Sequence, residues 1–444
     1  MKKIGIIVLV AAGISLFAAE NENAAGDGKI KLTLDEAKQI ALRDNPSLAT
    51  AKARIQSAME GIKQAEAAFY PTVDLTGSIS RLRDQRTTRP DRDFDNTNRY
   101  AVGASVNYTL FDAFQNQFQL LNAKHLHSTA VEAERDAQRM LLKGVSLAFY
   151  SAKLAQDNMN IAKEDAEFNK VLLDDAKKRQ EVGMLKQSEV LNFVLQVQHA
   201  DVDYVTAEKN WHIAIVALGA LLAINQESIW ESYEFVSEDP GEVVHRPFEE
   251  LYDYAKQNRP DLRSIESKIS IAQEGIKAAR RTWLPRVNLF VESDLIRTGK
   301  IHFNRHYDRD ITYGVNATWN VFNGWKTRAQ IAQAEAELLG AVKERDELLI
   351  DIASDIRQNI LTMESSAKLL KLQDGVYANA CKIRDLVKEE YTEGTATITR
   401  LNEVQTDVTN AASARSTAAI QLLNSIEALK STTGEILEVG RSAE

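Results

Sequence analysis

The sequence predicts an α+β membrane protein in which four β-strands cross a membrane and long antiparallel helices form coiled coils outside it. Four segments alternate apolar and polar residues over about 11 residues each, the length that a tilted strand needs to span a bilayer. Between them, long stretches rich in Ala, Glu, Gln and Lys lack both Gly and Pro, which favours long helices. The same order of segments occurs twice, so we interpret the chain as two tandem structural repeats.

The first pair of strands is predicted at 72–82 and 100–110. Val73, Leu75 and Ile79 fall on one face of the first strand, and Thr, Asp and Ser side chains fall on the other. Apolar residues facing lipid and polar residues facing inward are typical of a transmembrane β-barrel. A water-soluble hairpin with one buried face has the same period, so one hairpin alone leaves both structures open.

The second pair of strands is predicted at 287–297 and 311–321, and the former is less regular because Phe290 and Ile296 interrupt its apolar stripe. The duplication extends beyond the strands, since turn and aromatic residues recur in the same order. Pro46 and Pro71 correspond to Pro260 and Pro285, Phe111 and Phe114 to Phe322 and Trp325, and Gly183 to Gly394. The chain is therefore interpreted as an internal duplication rather than a short solenoid.

The N-terminus is predicted to be a secretory signal peptide over residues 1–19. Two lysines precede a short apolar run that ends in small residues, and cleavage is expected near Ala18 or Ala19. No later segment contains an apolar run of 18 residues. Any membrane crossing by the exported chain must therefore be a closed barrel, because a bilayer tolerates no open sheet edge.

The first repeat is predicted over residues 20–224. Thr33 and Glu36 have the spacing of a capping box, so a helix should start at Leu34 and end before Pro46. A second short helix leads to the first strand. After the hairpin comes a helix predicted at about 113–179, roughly 100 Å long at 1.5 Å per residue. Gly183 marks a turn, and a return helix is predicted at about 185–222.

The second repeat is predicted over residues 247–434, after a linker or equatorial region at 225–246. Pro247 stands at a helix start and opens the repeat. Its helices are predicted at about 248–258, 261–282, 325–391 and 396–430, followed by a C-terminal tail at 435–444.

Composition excludes several classes of function. The net charge is −9 without a basic cluster, so no nucleic acid partner is expected. The single cysteine, Cys381, cannot form an internal disulfide. The sequence contains no phosphate-binding Gly loop, nucleophile motif or ligand-spaced Cys/His set, so we expect neither an enzyme nor a metal or other cofactor.

Four strands cannot close a barrel, so several copies must contribute. Two, three or four copies give about 8, 12 or 16 strands, and an interior wide enough for a conduit favours three or more. Aromatic residues lie at the helix-side ends of the strands and are predicted to form an interfacial girdle. The members are Phe111, Phe114, Trp319, Phe322 and Trp325. Because the chain is exported, its helices should extend into the periplasm.

These features together resemble the TolC-type outer-membrane efflux protein family. The resemblance rests on the opening from Leu34 to Pro46, the two Pro-started hairpins, the two long Gly-poor helices and the Gly-marked turns. It implies a homotrimer with a 12-stranded β-barrel in the lipid of the cell outer membrane above an α-helical tunnel in the periplasm. It further implies passive export of small molecules or proteins in tripartite efflux or type I secretion, with a periplasmic adaptor and an inner-membrane pump as partners.

The resemblance also implies site residues at the far periplasmic tips. Adaptor contacts map to Val182, Gly183, Met184, Gly394 and Thr395, although Glu393 stands where the family has Val. Polar links of a periplasmic gate map to Glu189 and Tyr391, and the acidic rings of the family map to Arg400 and Glu403, of which the first is basic here. The alternatives are that the glycines merely permit tight turns and that the charges are ordinary solvated side chains.

The alternative function is a periplasmic coiled-coil adaptor or scaffold, against which the four alternating strands count. The cargo stays open, because drugs, metal ions and secreted proteins all pass through similar tubes.

Overall fold

The computed structural model describes residues 30–84, 95–224, 233–236, 245–298 and 308–438. The predicted signal peptide at 1–19 lies outside these ranges. The described chain consists of two successive sets of elements, each with two short helices, a β-hairpin, a long helix and a return helix.

The first repeat contains seven elements in the described residues. They are β1 Ile30–Leu32, α1 Leu34–Asp44, α2 Pro46–Ala67, β2 Thr72–Asp84, β3 Asp95–Phe111, α3 Gln115–Glu181 and α4 Gln187–Leu222. The start of α1 follows from its sequence: Glu36 N–H donates to the Thr33 hydroxyl at 3.3 Å, and Thr33 N–H donates to the Glu36 carboxylate at 2.9 Å. This reciprocal capping box satisfies two otherwise unpaired N–H groups.

The second repeat follows a short strand in the predicted linker, β4 Tyr233–Phe235, which pairs in parallel with β1. Its elements are α5 Phe248–Asn258, α6 Pro260–Arg281, β5 Arg286–Thr298, β6 Asp308–Thr318, α7 Lys326–Thr392 and α8 Ile398–Thr433, followed by a 3-10 turn at Glu435–Leu437. The parallel pair ties the start of the first repeat to the segment that joins the two repeats.

Several predicted bounds differ from the structure. Both long helices begin later than the predicted 113 and 325, because Phe114 and Trp325 adopt left-handed backbone with φ of 65° and 69°. The strand predicted at 311–321 ends at Thr318. The strands predicted at 72–82 and 100–110 extend further toward the hairpin loop, because their antiparallel pairing continues as far as Asp84 and Asp95.

The four long strands form one antiparallel sheet in the order β2-β3-β5-β6. One hairpin comes from each repeat, and the hairpins join through β3 and β5. The strands β2 and β6 are the edges of this sheet. The helices meet one end of the strands, called here the helix-side end, and the hairpin loops meet the other, called the loop-side end.

The main core lies where α1, α3, α4 and the end of α8 meet. Phe149, Ile215 and Leu218 are fully buried there. Beside them Lys38, 1% exposed, donates to Glu427, 5% exposed, at 2.6 Å. Burial by itself raises the pKa of the Glu427 carboxyl, but the nearby ammonium groups of Lys38 and Lys430 outweigh it and hold that pKa below its usual value. The pair joins the first helix of the chain to the last long one.

Candidate functional site

The sheet has one apolar and one polar face, and the apolar face is exposed. One register row on it runs through Val73, Val106, Val291 and Tyr313, from one edge of the sheet to the other. Val73 is 69% and Tyr313 79% exposed. A continuous exposed apolar surface of this kind marks contact with lipid or with another protein.

The polar face carries the carboxylates of the strands. Asp74, Glu292 and Asp294 lie on it, as do Asp308 and Asp310. Phe290, which interrupts the apolar stripe in the sequence, also points to this face, where its ring packs against Gly314. The ring covers glycine backbone on the neighbouring strand that no side chain protects, so Phe290 stabilises the sheet although it interrupts the apolar stripe.

The predicted girdle residues lie together at the helix-side end of the sheet. Phe111 packs edge-on against Phe114 with ring centroids 5.4 Å apart, and Phe322 packs likewise against Trp325 at 5.9 Å. Trp319 donates its indole N–H to the carbonyl of Trp283 at 2.9 Å. Phe322 and Trp325 are about 70% exposed. Aromatic rings at the boundary of an apolar band are typical of membrane interfaces.

The helical hairpins end in two matching turns. Gly183 and Gly394 both have a φ of +80°, which L-residues with a Cβ adopt only at a cost. Met184 N–H donates to the Arg179 carbonyl at 2.8 Å, and Thr395 N–H donates to the Glu390 carbonyl at 2.9 Å. In each turn the N–H of the residue after the glycine donates to the carbonyl five residues earlier, which is the pattern of a Schellman cap at a helix C-terminus. The tips are open to solvent, since Val182 is 69% and Met184 80% exposed.

Tyr391 lies inside its own chain rather than on the surface. It is 8% exposed in a cluster with Leu172, Phe193 and Leu401. The Arg179 guanidinium lies 4.8 Å from its ring centroid. Burial raises the pKa of the Tyr391 hydroxyl; Arg179 opposes this, and Asp175 and Glu189 add to it. The side chain is therefore a neutral hydrogen-bond donor at pH 7.

Glu189 has a local role in the structure. Its carboxylate accepts the Lys186 N–H at 3.0 Å and closes the first turn of α4. No hydrogen bond joins Glu189 to Tyr391 within the described chain, so the link expected between them is absent inside one copy. The sequence interpretation missed Arg179, whose spacing of four from Asp175 is the signal for the 2.8 Å ion pair between them.

Arg400 and Glu403 pair with each other on the exposed first turn of α8, with 3.2 Å between Nη1 and Oε2. The positive charge of Arg400 thus offsets the negative charge of Glu403 on this turn. Among the side chains that the structure describes, no three His, Cys, Asp or Glu residues lie close enough together to hold a metal ion. None of the helices in the described ranges is both long and apolar enough to cross a membrane.

A sheet with an exposed apolar face above two long helical hairpins defines the class of channel-forming outer-membrane proteins. The sequence model of the family described as "Outer membrane efflux protein" matches residues 38–223 and 251–435. The chain belongs to this family. It is an outer-membrane efflux protein and not an enzyme, and the periplasmic adaptor or scaffold is not favoured.

Curated relatives agree with this assignment, and a solved structure shares the fold. The chain is 25% identical to Protein CyaE of Bordetella pertussis over 72% of this chain and 66% of CyaE. It is 22% identical to Outer membrane protein TolC of Escherichia coli over 90% of this chain and 82% of TolC. The CmeC outer membrane channel of Campylobacter jejuni has a TM-score of 0.76 at 17% identity, with 97% of this chain and 94% of CmeC covered.

Proposed function

We propose that three copies of this chain close a 12-stranded β-barrel in the outer membrane above a periplasmic helical tunnel, through which cargo leaves the cell. The observation that carries the proposal is the contact between the two repeats. Within the chain, β3 pairs with β5 and the return helix α8 packs against α3. By the duplication, β3 corresponds to β6, β5 to β2, α3 to α7 and α8 to α4. Of these counterparts, β6 and α7 lie at one edge of the chain, and β2 and α4 lie at the other.

The edges have the properties of incomplete interfaces. In hydrocarbon, the unpaired N–H and C=O groups of β2 and β6 must find partners, and only ring closure supplies them to every copy. The edge helices are apolar outside: Val202 on α4 is 62% and Leu372 on α7 is 68% exposed. When α4 of one copy packs on α7 of the next copy, this contact between chains is equivalent to the contact of α8 with α3 inside one chain.

The duplication fixes the register between copies. The pairs Thr72–Asn107 and Arg286–Thr318 occupy the same place in the two hairpins. The pair Ala104–Ser293 between the repeats therefore corresponds to Val315 of one copy opposite Ile79 of the next. Because both strands alternate, these two side chains lie on the same outer face.

Cross-linking tests this register and the number of copies together. In a Cys381→Ser background, Ile79→Cys and Val315→Cys are introduced and oxidised in the outer membrane. A closed ring of three predicts covalent trimers on a denaturing gel. The matched control, Ile79→Cys with Ile311→Cys, moves one thiol four residues along β6, about 13 Å away, and should not link. Linked dimers alone, or equal linking in the control, would contradict the ring of three.

The exposed tips around Gly183 and Gly394 are proposed to bind a periplasmic adaptor, which connects the tunnel to an inner-membrane pump. Two observations support this location: Val182 and Met184 are exposed apolar residues at the turn of a helical hairpin far from the sheet, and a groove of about 530 Å³ lies between α7 and α8, reaching toward the second tip as far as Ile383 and Val404. TolC-like relatives include the alkaline protease secretion protein AprF of Pseudomonas aeruginosa and the pyoverdine export protein OpmQ of Pseudomonas putida, so both protein and small-molecule cargo fit this class.

The same tips are proposed to gate the tunnel through Glu189, Tyr391, Arg400 and Glu403. The neutral Tyr391 hydroxyl is a donor, and a carboxylate on a neighbouring hairpin accepts from it in a single hydrogen bond, which a conformational change of the tips can break. The measurement for the gate is single-channel conductance, which should rise on Tyr391→Phe and stay unchanged on Tyr377→Phe elsewhere on α7.

A separate proposal concerns the aromatic girdle, which we place at the membrane–water interface on the periplasmic side of the barrel. Its members are Phe111, Phe114, Trp319, Phe322 and Trp325.

A further inference from the structure

Negative charge on the four strands is confined to one face, whereas arginines occur on both faces. All the carboxylates of the strands that the structure describes lie on the polar face. Arg81, Arg297 and Arg309 lie on the apolar face, because each is an even number of residues from the exposed Val, Leu or Ile of its strand. We call these three residues the arginine belt. No carboxylate on the described part of the apolar face offsets the positive charge of these three arginines.

The arginine belt lies at one level of the sheet. Counted from the helix-side end of its strand, Arg81 is nine residues along β2, Arg297 eleven along β5 and Arg309 nine along β6. At about 3.3 Å per residue and a strand tilt near 40°, this is about 23–28 Å across a membrane. The apolar band of outer-membrane barrels is about 25 Å tall. The arginine belt therefore coincides with the outer boundary of that band, opposite the aromatic girdle.

Two members of the belt are open to a partner. Arg81 and Arg309 are exposed and make no ion pair with any residue that the structure describes. Arg297 is 9% exposed and already has an interaction within the chain, so Arg81 and Arg309 carry the site. A guanidinium keeps its charge at any physiological pH, and at the edge of a lipid phase it is costly unless it reaches water or an anion.

We propose that the arginine belt binds the phosphate groups of a phosphorylated lipid in the outer leaflet of the membrane. A guanidinium presents parallel N–H donors that match phosphate oxygens, so the partner is an anion with that geometry. Next to the belt the sheet is apolar: Ile79 is 80% and Ile311 56% exposed. A lipid engages both surfaces, its phosphate on the arginines and its acyl chains on the isoleucines, whereas free phosphate gains only the charges. The inference rests on the proposed barrel and its orientation.

The experiment measures lipid binding to the full mature oligomer in neutral detergent by native mass spectrometry. The probes are diphosphoryl lipid A, its dephosphorylated form and phosphatidylethanolamine, with inorganic phosphate as a competitor. We expect Arg81→Gln/Arg309→Gln to weaken binding of diphosphoryl lipid A tenfold or more. The matched control is Arg99→Gln, which removes an arginine near the same level from the polar face and should bind as the wild type does.

Any other result would overturn the inference. One such result is equal binding of diphosphoryl and dephosphorylated lipid A by the wild type, and another is full binding of diphosphoryl lipid A by the double variant. An equal loss in Arg99→Gln would assign the effect to net charge, and displacement by millimolar inorganic phosphate would mean that acyl contacts contribute nothing. Oligomer mass and bilayer conductance are recorded on the same samples. A wild type that forms no conducting oligomer refutes the proposed function, whereas a conducting oligomer without lipid preference refutes the arginine belt alone.

Discussion

The two repeats have the same skeleton but different surroundings. Equivalent helices contain 11, 22, 67 and 36 residues in each repeat. Yet the return helix α8 buries Leu401, Ile420 and Leu422, whereas α4 leaves Leu191 and Ile213 about 60% exposed. The repeated sequence therefore sets the backbone, while position in the chain sets burial: α8 lies between the repeats, and α4 lies at the edge.

The two repeats differ more in their buried charges than in their backbone. The buried Lys38–Glu427 pair joins α1 of the first repeat to α8 of the second. At the equivalent positions, Tyr252 on α5 and Val216 on α4, the chain carries no charge. Under the proposed ring, the contact inside a copy is therefore held by an ion pair, and the corresponding contact between copies is made without one.

Loss of that ion pair should lower stability more than any other substitution proposed here. Lys38→Met leaves the buried Glu427 carboxylate with Lys430 as its remaining cationic neighbour, and we expect a loss of about 3 kcal/mol in the free energy of unfolding. Unfolding is followed by helical circular dichroism in urea. As a control, Lys63→Met in an exposed pair with Glu60 should cost about 0.5 kcal/mol or less. Equal losses in the two variants would mean that the buried pair does not hold the repeats together.

Acid should reproduce part of the same loss. The folded pKa of Glu427 lies below its unfolded value of 4.5, so its stabilisation is complete above that pH and disappears as the pH falls through the folded pKa. The wild type should lose more stability on acidification than Lys38→Met/Glu427→Leu, in which an apolar pair replaces the charges. Parallel pH profiles for the two proteins would assign the acid effect to other carboxyls.

The two repeats also differ in residue type at the corner between the hairpin and the long helix. A residue with left-handed backbone at this corner is Ala113, with φ 61°, in the first repeat and Gly324, with φ 64°, in the second. Gly324→Ala should cost about 1–2 kcal/mol, the penalty for a Cβ in left-handed backbone. Ala113→Gly should change stability by less than that, because the added freedom of the unfolded chain and the loss of a methyl group that is 1% exposed both oppose the relief of left-handed backbone. Thermal unfolding should show a drop for Gly324→Ala that clearly exceeds any drop for Ala113→Gly, and equal drops would refute this account.

The starts of the return helices differ by one hydrogen bond. Thr397 caps α8, where its hydroxyl accepts the Arg400 N–H at 3.3 Å. In α4 the equivalent Lys186 instead donates its backbone N–H to Glu189. Thr397→Ala should therefore cost about 1 kcal/mol and Lys186→Ala almost nothing. Amide hydrogen exchange at the two tips measures the difference, and equal protection after both substitutions would show that the caps are equivalent.

The smallest expected change in stability is at the charged pair on the second tip. Arg400→Ala should cost about 0.5 kcal/mol or less, since the pair with Glu403 is exposed. It should nevertheless increase the preference of the channel for cations, because the Glu403 carboxylate is left without its neighbour. Reversal potentials across a planar bilayer measure this preference. Arg384, a partly buried arginine paired with Asp385, supplies the control substitution Arg384→Ala.

Much of the fold was predictable because its signals are local. The capping box at Thr33, the helix-starting Pro46 and Pro260, and the period-two strands each act over a few residues. Contacts between distant residues leave no such signal: Lys38 and Glu427 are 389 residues apart in sequence. The left-handed Phe114 also gives no warning, because Phe has no preference for that backbone.

The candidate site was predictable only in outline. Turn glycines reveal where the tips lie, since both require a positive φ. What surrounds Tyr391 depends on how four helices meet, so neither its burial nor the Arg179 contact follows from spacing around Tyr391 itself. The arginine belt depends on register across the sheet, because Arg81 and Arg309 come from strands at opposite edges.

The two open edges of the sheet also bear on inheritance. In the proposed ring of three, each chain supplies four strands of a shared wall and cannot close that wall by itself, so one faulty copy spoils the ring that it joins. If half of the copies in a cell carry a defective edge strand, random assembly in threes leaves about one intact ring in eight. Damage confined to β2 or β6 should therefore be dominant in a cell that also makes the normal protein, whereas damage that prevents a copy from joining should be recessive.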